Sequence, residues 1–101
     1  MRQAKLDGLE FYPERLELKF KDQTLIITKK EGILLESLMN KYPKVVTRDY
    51  LLEKIWDDVE FAEENTLNVN VSRIRKRLKE LGIEDGVETV RGLGYRINKS
   101  W

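Results

Sequence analysis

The clearest periodicity in the chain lies over residues 65–81, where Leu67, Val71, Ile74, Leu78 and Leu81 recur at steps of four, three, four and three. That spacing places all five side chains on one narrow stripe of a helix. Nearer the start the period is two: Leu16-Glu-Leu-Lys-Phe20 alternates apolar and polar positions. Residues 9–12, 15–20 and 23–28 read as short antiparallel strands, with Lys21-Asp22 as a tight turn between the last two. Thr28-Lys-Lys-Glu31 has the form of a capping box, in which the Thr hydroxyl and the Glu carboxylate satisfy backbone donors at a helix start. With Ile33, Leu34 and Leu38 at helical spacing, it predicts a first helix over 29–40 that Pro43 closes off. Val45-Val46 is then a short extended piece, and Thr47 caps a second helix over 48–56 with Leu51, Leu52 and Ile55 inward. Residues 57–64 read as a loop. Gly82 suits the position just past the third helix, and residues 88–98 predict a terminal hairpin whose turn is Gly92-Leu-Gly94. Residues 1–7 are polar and expected to fray, leaving an ordered core over 9–98 in a single domain of 101 residues.

Advancing about 100° per residue along the third helix puts Asn65, Val69, Ser72 and Lys76 opposite the apolar stripe. Thr66, Asn70, Arg73 and Arg77 line one flank of that outer strip, and Asn68, Arg75 and Lys79 the other. A helix laid in a DNA major groove needs long cations on its flanks for phosphates and small polar, forked or methyl-bearing side chains facing base edges. The layout fits that need. Val69 is apolar in the most polar face, where it adds nothing to a core but can meet a thymine methyl. Thr89, Arg91 and Arg96 make the following hairpin a second basic element, with Arg91 suited to the adjacent minor groove or to the phosphates along it.

Total charge conceals this arrangement, since 19 Lys and Arg against 18 Asp and Glu leave a formal net charge of +1. Residues 1–64 carry 11 basic and 14 acidic side chains, whereas residues 65–101 carry 8 and 4. Asp57, Asp58, Glu60, Glu63 and Glu64 put five negative charges in eight residues; Arg73, Arg75, Lys76, Arg77 and Lys79 put five positive charges in seven. Near-neutrality is therefore a cancellation of two patches.

The chain contains no Cys and no His, which excludes a Cys nucleophile, a His general base, disulfides and the usual thiolate or imidazole zinc sites. Ser37, Ser72 and Ser100 have no His to activate them. Asp57, Asp58 and Glu60 could bind Mg²⁺, but no recognisable base or substrate pocket accompanies them. The expectation is a protein that is not an enzyme, with no cofactor and no metal. No apolar run approaches the roughly 20 residues of a membrane helix, and the start lacks a secretory leader, so a cytoplasmic location with no membrane partner is expected.

Three segments in order carry a family resemblance: Thr28-Lys-Lys-Glu31 with Leu34-Leu35; Leu51-Leu-Glu-Lys-Ile-Trp56; and Val69-Asn-Val-Ser-Arg-Ile-Arg-Lys-Arg-Leu78 followed by Thr89-Val-Arg-Gly-Leu-Gly-Tyr-Arg96. In this spacing, over nearly the whole chain, they resemble the effector domain of OmpR/PhoB-type two-component response regulators. The run from Glu64 to Ser72 is similar to regulators of Gram-positive bacteria that answer bacitracin or cationic antimicrobial peptides. The resemblance implies an α+β winged helix-turn-helix fold: an N-terminal antiparallel sheet, three helices and a C-terminal β-hairpin wing. It implies sequence-specific binding to double-stranded promoter DNA for transcription control, with the third helix in the major groove and the wing at the minor groove.

The same resemblance implies individual roles. Val69 and Arg73 match base-touching positions; Asn70, Ser72 and Arg75 match positions for phosphate or further base contacts, beside Asn65, Thr66, Lys76 and Arg77 on the same helix. Arg48 and Trp56, at the two ends of the second helix, match contacts to the DNA backbone. Thr89, Arg91 and Tyr95 match wing contacts. The loop holding Asp57, Asp58, Glu60, Phe61, Glu63 and Glu64 corresponds to the one through which relatives touch RNA polymerase, and its carboxylates suit a basic partner surface. The phosphorylatable receiver domain is absent from this chain, so a receiver and a cognate sensor kinase are expected of a longer protein. The fragment alone is expected to be monomeric and to pair on tandem half-sites.

Two positions depart from the family pattern. Asn65 stands where relatives often carry an arginine, which implies one phosphate contact fewer or a different specificity. Gly32 stands where they usually carry a core aromatic; a glycine within a helix costs roughly 1 kcal/mol against alanine and leaves volume that Phe11, Phe20 or Tyr42 must fill. The alternative is a winged helix serving as a protein-interaction module through its acidic and basic surfaces.

Overall fold

The computed structural model of the chain describes residues 3–58 and 64–101, the side chains of Trp56, Asp57, Asp58, Glu64 and Asn65 excepted. Its first layer is an antiparallel meander of β1 (Ala4–Leu6), β2 (Leu9–Tyr12), β3 (Glu17–Phe20) and β4 (Gln23–Ile26). β2 occupies its expected span, and Lys21-Asp22 is the two-residue turn that pairs Phe20 with Gln23. The alternation of β2 and β3 buries Leu9, Phe11, Leu18 and Phe20 on one face.

β1 corrects the expectation of a frayed start. Ala4 is buried and faces Phe11, and Leu6 pairs with Leu9. Asp7 and Gly8 both take positive φ (44° and 94°), as a tight primed hairpin turn requires, so Asp7-Gly8 carried the strand signal. β3 in turn starts two residues later than expected, because residues 12–16 fold back on themselves: Arg15 N donates to the Tyr12 carbonyl at 3.1 Å, and Leu16 sits at φ 54°.

Across the inner face runs α1 (Lys29–Lys41), followed by β5 (Val46–Thr47), α2 (Arg48–Asp58), α3 (Glu64–Glu80), β6 (Val87–Val90) and β7 (Gly94–Ile97). The capping box at the start of α1 is complete: Thr28 Oγ1 accepts from Glu31 N at 3.2 Å, and Glu31 Oε1 accepts from Thr28 N at 2.8 Å. The space left by Gly32 is filled by Phe11, whose Cζ lies 2.5 Å from where a Cβ would stand. α1, α2 and α3 bury Leu34, Leu35 and Leu38, Leu51 and Ile55, and Leu67, Val71, Ile74 and Leu78 in one core.

α2 runs two residues further than expected and α3 begins one earlier, so Asp57, Asp58 and Glu64 belong to helices and not to a loop. Residues 59–63, which include the expected polymerase-contact positions Glu60, Phe61 and Glu63, lie outside the described residues. The second sheet has the order β5-β7-β6, with β7 central: Val46 and Thr47 face Tyr95 and Gly94, and Val87 to Val90 face Ile97 to Gly94. At the far end of the chain, Trp101 packs edge-on against Phe20 and donates its indole N–H to the Asp7 carbonyl at 3.0 Å, beside an ion pair between Lys99 and Asp7.

Candidate nucleic-acid interface

α3 is positioned by its apolar stripe, and the opposite side is solvent-facing. Asn68, Val69, Ser72, Arg73, Lys76 and Lys79 are exposed, and Val69, at 37% exposure, is one of three large apolar side chains exposed among the described residues. Among those residues, Arg73 and Lys76 engage no side-chain partner, so their cations project from the strip. The side chain of Asn65, expected on this face, is not among those described.

Two of the flanking residues differ from the outward placement that helical geometry suggests. Asn70 is 2% exposed, and its Nδ2 donates to the Thr66 carbonyl one turn back at 2.8 Å, so it does not stand on the outer surface. Arg77, on the same flank two turns later, reaches the buried Glu31 carboxylate of α1 at 3.8 Å and Glu80 at 3.6 Å, leaving it half-buried. Thr66, likewise half-buried, lies at the start of that flank.

The other flank meets the hairpin. Arg75 donates from Nε to the Val87 carbonyl at 3.0 Å and from Nη2 to Thr89 Oγ1 at 2.6 Å, with its guanidinium 6.0 Å from the centre of the Tyr95 ring. Tyr95 is buried at 6% exposure; its hydroxyl donates to Asn68 Oδ1 at 3.2 Å and accepts from Arg48 Nη1 at 3.1 Å. Arg48 Nη1 also lies 3.4 Å from Asn68 Oδ1. Its backbone N–H donates to the Leu93 carbonyl at 3.1 Å, so the first residue of α2 is tied to the hairpin turn by main chain and side chain alike. Thr47 caps that helix as expected, its Oγ1 accepting from Tyr50 N at 3.2 Å.

The structure thus gathers Arg48, Asn68, Arg75, Thr89 and Tyr95 into one network. Asn68, placed by the sequence on the flank of Arg75 and Lys79, was given no role there. Its signal was there in the spacing: seven residues before Arg75, it occupies the same flank. Beyond the network the hairpin turn projects Arg91, Gly92 and Leu93 into solvent, with Gly92 at φ +79° and Leu93 57% exposed. Arg96 is turned to Glu88 in a two-pronged contact at 3.0 and 3.4 Å, which raises the guanidinium's pKa and withdraws it from the tip. Gly94 sits where β5 and β7 touch: a Cβ there would stand 2.0 Å from the Val46 carbonyl oxygen. Trp56, at the other end of α2, has no described side chain.

Residues 22–97 match the family described as Transcriptional regulatory protein, C terminal. The chain is 41% identical over 96 residues to the uncharacterized transcriptional regulatory protein YvcP of Bacillus subtilis (strain 168), covering 95% of this chain and 40% of YvcP. It is 47% identical over 74 residues to the response regulator protein GraR of Staphylococcus epidermidis, covering 73% of this chain and 33% of GraR. The chain therefore spans two fifths or less of these relatives. Among solved structures, the C-terminal domain of the nisin resistance regulator NsrR, a lantibiotic response regulator, is similar at TM-score 0.82 and 34% identity, covering 95% of this chain and 96% of that one. The DNA-binding domain of the response regulator AdeR, solved in complex with an intercistronic region, is similar at TM-score 0.80 and 28% identity, with 95% and 98% covered. The fold is that of these winged-helix domains, and the second sheet with its exposed turn is the wing.

Proposed function

Because the chain belongs to the Transcriptional regulatory protein, C terminal, family, we propose how it acts as the DNA-binding effector domain of a response regulator. α3 enters the major groove of double-stranded promoter DNA. Val69 meets a thymine methyl, and Arg73 reads a guanine edge through the forked donors of its guanidinium. Ser72, Lys76 and Arg48 contact phosphates, with Asn65, Thr66 and Trp56 at the margins of the same surface. Arg91 reaches the minor groove from the wing tip, beside Thr89. Asn70, buried and bonded back to the Thr66 carbonyl, is left out of this set. Arg77, Arg75 and Tyr95 are spent largely on internal contacts.

One observation carries the proposal: the face of α3 opposite its apolar stripe exposes Val69, Ser72, Arg73 and Lys76 together, with the Arg91 turn on the sheet bonded to the adjoining flank. An exposed valine amid cations that engage no side chain among the described residues suits base edges between phosphate rows better than it suits water. The acidic residues over 57–64 are assigned to a basic surface of RNA polymerase. A receiver domain and a sensor kinase complete the regulator, whose signal, by likeness to NsrR, is a peptide antibiotic. Its compartment is the cytoplasm, and among the described residues no helix is long and apolar enough to cross a membrane.

Selection of bound sequences from a random duplex pool tests this reading. The expected product is a short half-site repeated in tandem, bound weakly by one domain and more tightly by two. Recovery of no common sequence from a folded protein would instead point to a protein-interaction module.

A further inference from the structure

We propose that Arg75 and Asn68 are positioning residues, which lock the wing to the recognition helix so that both DNA-contacting elements move as one body. The proposal rests on the DNA-binding role given above. Its departure from the family pattern is that Arg75 serves the wing and not a phosphate.

Arg75 is a cation in the most basic segment of the chain, yet two of its five donors are already committed to the wing. Nε and Nη2 are aimed at two successive sites of β6, the Val87 carbonyl and the Thr89 hydroxyl, and the guanidinium lies beside the Tyr95 ring of β7. A charged donor at 2.6 Å from a hydroxyl makes a strong, directional bond. Swinging the Nε–Nη2 edge round to a phosphate would break both bonds to β6. Arg73 and Lys76, exposed on the same helix, face no such choice.

Asn68 supplies the second fastening. Its Oδ1 accepts from Tyr95 of the wing at 3.2 Å and from Arg48 of α2 at 3.4 Å. Seven helical residues separate it from Arg75, about 10 Å along the axis. A single tie would leave the wing free to pivot about it, whereas two ties at that separation fix its angle to the helix. The offset between the strip on α3 and Arg91 at the wing tip is then set before DNA arrives, as preorganised binding requires.

Two arms test the assignment, with Arg75→Met and Asn68→Leu keeping bulk while removing the polar groups. In the first, without DNA, amide exchange of residues 87–90 and 94–97 is expected to quicken by about tenfold or more in either variant, while α1 amides keep their protection. Unchanged wing protection would overturn the proposal, whatever the protein binds. In the second, the duplex recovered by wild-type selection is bound by Arg75→Met, Arg91→Ala and the pair. If Arg75 positions the wing, Arg91→Ala weakens the wild type by about tenfold but Arg75→Met by less than about twofold, since an unlocked wing has already lost that contact. In the Arg91→Ala background, Arg75→Met then leaves the salt dependence unchanged. Multiplicative losses, with the slope of log affinity on log salt falling by about 0.9 for Arg75 in that background, would identify a phosphate contact and overturn the proposal. Arg75→Lys, which can restore one of the two bonds, is expected to lie between wild type and Arg75→Met in both arms.

Discussion

The two sheets are both antiparallel and both lie against the helices, yet they are secured by different forces. The four-stranded sheet buries Leu9, Phe11, Leu18 and Phe20 in the core, and among the described residues the side-chain contacts on its outer face are local: Tyr12 with Glu10, Arg15 with Glu17, and the Arg15 cation over the Tyr12 ring. The wing sheet has a smaller apolar footing in Val46, Val87, Tyr95 and Ile97, and it is reached by directional bonds from Arg48 of α2 and from Asn68 and Arg75 of α3. Apolar burial is non-directional and sets how stable a layer is; hydrogen bonds to charged donors set where it points. The first sheet is thus expected to govern stability, and the second the aim of the DNA-binding surface.

The sharpest break in that contrast comes from Phe11→Ala, which empties the space around Gly32 and should cost about 3–5 kcal/mol of stability, measured by denaturant unfolding. At temperatures where the variant remains folded, its DNA affinity should match the wild type. Gly94→Ala is next: its Cβ would collide with the backbone of Val46 and Thr47, and we expect a loss of at least about 3 kcal/mol together with loss of specific binding. Arg73→Ala separates the two properties from the other side. Binding to the selected duplex should weaken by about 1–3 kcal/mol with relaxed preference at one base pair, while the melting temperature stays unchanged. The smallest effect belongs to Thr28→Ala, which removes one half of the capping box on α1 and should cost about 1 kcal/mol of stability with no change in affinity. A Thr28 variant that altered sequence preference would show that the two layers are not separable.

Much of the architecture could be read from periodicity and punctuation. The heptad-like steps from Leu67 to Leu81, the Thr28 and Thr47 caps, and the glycine-bearing turn of the hairpin all act through neighbours within a few residues. β1 was missed because three residues offer too little alternation, and only the Asp7-Gly8 turn betrayed it. For the site, a helical wheel gives the angle of each side chain but not what stands beside it. That is why Val69, Ser72 and Lys76 emerge on the expected outer face, whereas Asn70, on a flank, is buried and bonded back to Thr66. Charge alone is equally silent on partners: Arg73, Arg75 and Arg77 are alike in sequence, but one is exposed, one is bonded to the wing and one is drawn to Glu31.

The bond from Trp101 to Asp7 joins positions 94 residues apart, and that separation makes it a reporter. Loop-closure entropy rises with the length of chain enclosed, so this contact is among the last to become favourable as the chain orders. The protein has two tryptophans. Replacing Trp56 with phenylalanine would leave the emission of the Trp101 indole, seated against Phe20, as a signal of completed folding. That optical signal should stay constant when the wing is loosened and disappear when the four-stranded sheet comes apart.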